Sequence, residues 1–230
     1  KKKVYYLSDM WRYDMDTQLW QEIKPYLPDG VGPGQRRGHA QCLYLDTNTI
    51  YFFGGRRNYQ PVPFLEYVYK QNLLVLNDLW GYNIKNNSFF LARSVGWEIP
   101  HQRQGMKMEV WSDILYIFGG YYDPVEYLQD TWHYNITSEV WRQKQTDGGI
   151  PDKRFQYAMT MWNQEVVLFG GYGSSCVWES TGSPGMYCKP DGPAFYFGDT
   201  WHYTMRICPN GCFRNGTCHY GSCICGPGAF

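Results

Sequence analysis

Three apolar segments of this chain each stop at a glycine pair: Ile50-Tyr51-Phe52-Phe53-Gly54-Gly55, Leu115-Tyr116-Ile117-Phe118-Gly119-Gly120 and Val166-Val167-Leu168-Phe169-Gly170-Gly171. Each reads as a buried strand ended by two residues that carry no side chain and tolerate positive φ. A second pattern, Asp-x-Trp-x-Tyr, follows at Asp78-Leu79-Trp80-Gly81-Tyr82, Asp130-Thr131-Trp132-His133-Tyr134 and Asp199-Thr200-Trp201-His202-Tyr203. Asp9-Met10-Trp11-Arg12-Tyr13 is a fourth copy. Side chains two apart on a strand share a face, so each Trp and Tyr pair is expected to fill the wedge between neighbouring sheets. The leading Asp is expected to cap the entering turn. Six residues separate Tyr13 from Trp20, Tyr82 from Phe89 and Tyr134 from Trp141. Arg-led strands, from Arg37, Arg103 and Arg154, precede the glycine pairs. Each unit is therefore four short antiparallel strands, and a repeat of about 50 residues is that of a radial or stacked array.

Composition agrees with an all-β chain. Aromatics make up 19% and charged residues 18%, which is not the composition of a disordered chain. The 25 Gly and 13 Pro are scattered, as turns between short strands require. Lys+Arg and Asp+Glu balance at 21 each, so no basic field exists to attract nucleic acid or an anionic membrane. No apolar run approaches the roughly 20 residues of a membrane helix. The first residue is Lys1, and the chain reads as an excerpt of a longer one.

The glycine pairs, the repeated tyrosine and its fixed spacing to a Trp resemble kelch repeats over residues 1–206. The resemblance implies a partial kelch-type β-propeller of about three and a half four-stranded blades: a blade end at 4–20 and blades from about 37, 103 and 154. Phe89 replaces the usual Trp in one unit, and Asn210 occupies the corresponding position after Tyr203, so the last blade is expected to lack an ordinary fourth strand. An open arc leaves a sheet face bare at each end, each forgoing about 8 kcal/mol of burial. The expectation is that upstream sequence completes the ring, with another chain as the alternative.

Residues 207–230 differ in kind. Cys208, Cys212, Cys218, Cys223 and Cys225 crowd into this tail, with spacing similar to the first five cysteines of an EGF-like module. That resemblance implies bridges Cys208–Cys218 and Cys212–Cys223, with the partner of Cys225 beyond residue 230. Zinc binding competes poorly, because repeated Cys-x2-Cys pairs are missing. Cys176 and Cys188 share one Gly/Ser/Pro-rich excursion, where a bridge would contribute about 3 kcal/mol. Cys42 reads as a small buried hydrophobe. Sequons stand at Asn86, Asn135 and Asn215, the first two in predicted turns where a glycan would be exposed.

An antiparallel meander gathers the loops between second and third strands at one end of the ring. Those loops carry Arg56, Arg57, Tyr59, Phe64, Tyr67 and Tyr69 in the first blade, then Tyr121, Tyr122 and Tyr127, then Trp178, Tyr187, Phe195 and Tyr196. Long aromatic loops on one face are a candidate protein-binding surface. A copper radical oxidase uses a kelch-like propeller, but its chemistry needs convergent His, Tyr and Cys ligands. Here His133 and His202 occupy one slot of the repeat, and no catalytic motif stands in a supporting context. No catalytic, cofactor or metal residue is assigned. The reading is a non-enzymatic extracellular or cell-surface interaction or structural module, similar in architecture to attractin-like proteins, whose partners are proteins, neighbouring modules or a larger extracellular array. An intracellular kelch adaptor is the alternative.

Overall fold

The computed structural model describes residues 6–58, 73–122, 126–144, 149–162, 164–174, 177–179, 187–189, 194–204, 216–219 and 222–225. The strands are β1 (Met10–Asp14), β2 (Leu19–Ile23), β3 (Ala40–Tyr44), β4 (Thr49–Asn58), β5 (Leu73–Asn83) and β6 (Ser88–Leu91). They continue with β7 (Lys107–Trp111), β8 (Ile114–Tyr122), β9 (Glu126–Asn135), β10 (Val140–Lys144), β11 (Lys153–Phe155), β12 (Ala158–Trp162), β13 (Glu165–Phe169) and β14 (Tyr172–Ser174). The last are β15 (Val177–Glu179), β16 (Tyr187–Lys189), β17 (Ala194–Tyr196), β18 (Thr200–Thr204), β19 (Gly216–His219) and β20 (Ser222–Cys225).

The fold is all-β, a partial propeller of four-stranded antiparallel blades. Sheets β3-β4-β5-β6 and β7-β8-β9-β10 are complete blades, here blades B and C. The pair β1-β2 supplies the third and fourth strands of blade A, and β12-β13-β18 the first three of blade D. First strands lie side by side around the axis, β3 beside β7 and β7 beside β12.

The apolar runs of β4 and β8 are continuous because both faces of an inner blade are covered. In β8, Leu115 and Ile117 face blade B, whereas Tyr116 and Phe118 face blade D. On the outermost blades large apolar side chains meet solvent instead: Trp11, Leu19 and Trp20 on blade A and Trp162 on blade D are all at least half exposed.

Turns repeat as regularly as strands. The residue after each repeat tyrosine, Asp14, Asn83 or Asn135, accepts a backbone N–H of its own turn through its side chain. The turn closes on a positive-φ residue, Gln18, Asn87 or Glu139, the geometry that carries a three- to five-residue hairpin. Asn135 is consequently half-buried, and its Nδ2 donates to Asp113 at 2.9 Å. That corrects the expected free exposure of this sequon. Asn86 is exposed as expected. Asn215 lies outside the described residues.

The third excursion holds more structure than a loop. There β14 pairs with β11 and β17, and β15 pairs with β16, so Cys188 stands opposite Trp178 in that hairpin. In the tail, β19 pairs with β20 and sets Cys218 opposite Cys223. Cys176, Cys208 and Cys212 lie outside the described residues, and Cys225 ends β20.

Candidate functional site

The glycine pairs show why the repeat needs them. Gly54 and Gly55 have φ of 63° and 92°, and a Cβ there would stand 2.6 Å from the Arg103 carbonyl oxygen and 2.7 Å from that of Arg37. A Cβ on Gly119 would stand 2.8 Å from the Arg154 carbonyl oxygen. Gly55 N–H donates to the Arg103 carbonyl at 2.8 Å, so the absent side chain is what lets the next blade's backbone dock.

Beside each pair sits a clasp. Arg103, fully buried, donates to the Gly119 carbonyl at 3.0 Å and grips Asp130 through both Nη atoms at 2.6 and 2.8 Å. Asp130 also accepts the Trp132 indole N–H at 2.6 Å. Arg154, Gly170, Asp199 and Trp201 repeat the geometry. In blade B the arginine is Arg36, which reaches Gly54 and Asp78, with Trp80 on the same carboxylate. Two expectations are corrected. The repeat is led by Arg36 rather than the exposed Arg37, and the repeat Asp binds a guanidinium and an indole rather than capping a turn. The Arg-x-Gly pattern shared by Arg36-Arg37-Gly38 and Arg103-Gln104-Gly105 was the available signal. In blade A, Asp9 accepts the Trp11 indole at 2.7 Å.

The clasp arginines are scaffold, saturated by their own blades. Burial raises the Asp130 carboxyl, but the hydrogen bonds and charge of Arg103 and the Trp132 indole outweigh it and hold the group below its ordinary value. For Asp199 the hydrogen bond from Arg154 dominates, in the same direction.

The clasps fix the end of the ring where the predicted loop residues lie. Arg37, Gln104 and Phe155 pair with Arg56, Tyr121 and Tyr172, the residues that follow the three glycine pairs. One slot is thus basic in blade B and aromatic in the next two. Tyr121 lies 5.3 Å from Tyr127 and 5.5 Å from Phe155 between ring centroids, and Tyr127 stacks on Phe155 at 5.7 Å. Tyr172 meets Phe155 and Tyr127, and Tyr196, 84% exposed, lies 5.0 Å from Tyr172. These five rings form one half-exposed platform across blades C and D. Burial, with neighbouring Tyr172 and Tyr121, raises the Tyr127 hydroxyl above its ordinary value.

Of the predicted loop residues, Tyr121 and Tyr127 are in the platform, while Tyr122 lies near His101 and Phe195 near Phe197. Phe155 and Tyr172 were missed: Tyr172 follows its glycine pair as Tyr121 does, a signal the sequence offered, whereas Phe155 is brought there by strand register alone. Arg57 is exposed, whereas Arg56 is buried, which corrects its place among the candidate protein-binding loop residues. Trp178 and Tyr187 lie on β15 and β16. Tyr59, Phe64, Tyr67 and Tyr69 lie outside the described residues. His133 is half-buried and pushed down to about 3 by burial, whereas His202 in the same slot is exposed beside Glu165. Cys42 is half-buried, and burial raises its thiol.

A family model described as the attractin/LZTR1 β-propeller matches residues 2–187. The chain belongs to that family. Among its relatives, host cell factor 2 of Homo sapiens is 26% identical over 183 residues, 73% of this chain and 21% of that protein. Kelch domain-containing protein 1 of Mus musculus is 28% identical over 176 residues, 76% of this chain and 39% of that protein. The host cell factor of Drosophila melanogaster is 25% identical over 173 residues, 73% of this chain and 11% of that protein. The chain therefore spans well under half the length of the curated relatives it matches. As a member of the attractin/LZTR1 propeller family it is a kelch-type protein-interaction fold, and residues 188–230 lie beyond the matched segment.

Proposed function

We propose that this chain is a non-enzymatic protein-binding module of the extracellular space or cell surface, which engages its partner through the aromatic platform. The observation that carries the binding surface is the cluster Tyr121, Tyr127, Phe155, Tyr172 and Tyr196, large amphipathic rings held half-exposed on a rigid blade end. Rings of this kind bury much area at low entropy cost, which is why interface hot spots are rich in them. The compartment rests on the cysteine-rich tail and its likeness to an EGF module.

Two measurements test the reading. In a binding screen of the intact chain against displayed extracellular proteins, Tyr127→Ser with Tyr172→Ser and Tyr196→Ser is expected to abolish capture that Trp162→Ser preserves. Retention by the triple variant overturns the surface. Alkylation and mass spectrometry of native material are expected to find Cys208, Cys212, Cys218 and Cys223 bridged. Free thiols there overturn the compartment and favour an intracellular adaptor.

A further inference from the structure

The hairpin turn that joins β5 to β6 contains Asn83, Asn86 and Asn87, and two of these amides hold the turn in place. Asn83 accepts the Asn86 backbone N–H at 2.9 Å and donates through Nδ2 to the Thr47 carbonyl at 3.4 Å. Asn87 accepts the Tyr82 hydroxyl at 2.9 Å and donates to the Lys24 carbonyl at 3.1 Å, which ties blade B to blade A. The third amide is different. Asn86 is exposed, and among the described residues its side chain has no hydrogen-bond partner.

That unused amide is the acceptor position of the sequon Asn86-Asn87-Ser88. Asn135, the acceptor of Asn135-Ile136-Thr137, gives the contrast. It is half-buried, its Oδ1 accepts the Ser138 N–H at 2.6 Å, and its Nδ2 donates to Asp113 at 2.9 Å. A sugar on that nitrogen has to share it with the bond to Asp113, whereas at Asn86 nothing is displaced. Strand register fixes the end of the propeller at which each site stands. Thr49 pairs with Asn83 at the turn end of β4, and Arg56 pairs with Arg37 at the other, in the slot that Tyr121 fills in the next blade. The length of β4 puts the two ends about 20 Å apart.

We propose that Asn86 carries an N-linked glycan, held at the end of the propeller opposite the aromatic platform. In the transfer, Nδ2 forms a C–N bond to C1 of the first sugar of a lipid-linked oligosaccharide, and the bond from C1 to the lipid diphosphate breaks. One amide N–H proton passes to a base of the transferase, and nothing is oxidised or reduced. Nδ2 keeps its second hydrogen. The bonds of Asn83 and Asn87 that shape the turn are untouched, and a bulky, solvated glycan at this end leaves the platform uncovered. The site rests on the extracellular reading above and does not depend on the platform.

One sample separates the glycan from the compartment. Native material is alkylated, digested and treated with N-glycosidase in oxygen-18 water, which leaves a heavy aspartate wherever a glycan was attached. Heavy aspartate at position 86 is expected, in material whose Cys208, Cys212, Cys218 and Cys223 are bridged. An unmodified Asn86 beside bridged cysteines overturns the glycan and leaves the compartment standing, whereas free thiols without a glycan overturn both. A glycan on Asn135 with none on Asn86 also overturns the proposal. When the intact chain is expressed through the secretory pathway, Asn86→Gln and Ser88→Ala are each expected to lose one glycan's shift in gel mobility, and Ser88→Thr to keep it. Retention of the full shift by either of the first two overturns the assignment. Made in bacteria, without glycosylation, Asn86→Gln is expected to melt within about 2 °C of the parent. A larger fall shows that the amide has a task in the fold and overturns the contrast on which the proposal stands.

Discussion

Blades C and D start from the same plan and end in different states. Both carry the buried arginine, the glycine pair and the Asp–Trp–Tyr strand, and both clasps close to within hydrogen-bond distances of 2.6 to 3.0 Å. Yet the junction in front of blade C is filled, while the one in front of blade D keeps a cleft. The clasp is completed by residues within one blade, so each blade makes it alone. The wedge between blades needs a fourth-strand aromatic as well. A repeat array is a sum of local units and neighbour interfaces, and here the two parts separate in one molecule.

Breaking the clasp is expected to have the largest effect. Arg103→Ala leaves Asp130 partly buried without its counter-ion and should cost about 3–5 kcal/mol in denaturant unfolding. Asp9→Asn in blade A, where the carboxylate is exposed, should cost under about 1 kcal/mol. Equal losses would show that the clasp energy does not depend on burial. Trp141→Ala is expected to cost about 3–5 kcal/mol through an unfilled core, against under about 1 kcal/mol for the exposed Trp20→Ala.

The glycine pairs sharpen the contrast. Gly54→Ala would place a methyl 2.6 Å from a backbone oxygen of the next blade, whereas at Gly170 the nearest atom, the Phe197 carbonyl oxygen, is 3.3 Å away. Both have positive φ, so each pays about 1 kcal/mol of strain, and Gly54→Ala should lose at least twice as much stability. A crossed order would show that the next blade yields at little cost.

The smallest expected effect is on pH dependence. Burial holds the native His133 down to about 3, so the unfolded chain, titrating near 6.5, binds more protons in between. Stability therefore falls as pH drops through that window. His39, lowered chiefly by burial, acts in the same direction, and Asp130 and Asp199 add a further loss only below about pH 4. His133→Gln should flatten urea-unfolding stability between pH 6.5 and 4.5, and an unchanged slope would show that His133 is hydrated in the native state.

Much of the blade plan was legible because it is local. An apolar run ended by two glycines is a strand wherever it lies, and Trp and Tyr two apart share a face by geometry alone. The missing aromatic at Asn210 was legible too, as a gap in a spacing rule. What could not be read was which of two adjacent arginines turns inward. Arg36 and Arg37 are chemically equal, and only the positions of Gly54 and Asp78 decide between them. The Asp was misassigned for the same reason, since its guanidinium partner lies 27 to 45 residues away in sequence. The platform was half legible. Loop aromatics pointed to one end of the propeller, and Tyr172 stands after its glycine pair as Tyr121 does, but Phe155 precedes the pair and joins the platform only through the pairing of β11 with β14.

By itself, the sequence determined the repeat, the strand identities, the sites of the glycine pairs and the place where a fourth-strand aromatic is lacking, because each depends on residues close together in the chain. Tertiary structure alone decided which arginine is buried, that its carboxylate also holds an indole, that five separated rings make one surface, and that a cleft stands between blades C and D. Those outcomes depend on which atoms of different blades come within a few ångströms of one another, and spacing along a chain does not encode that distance.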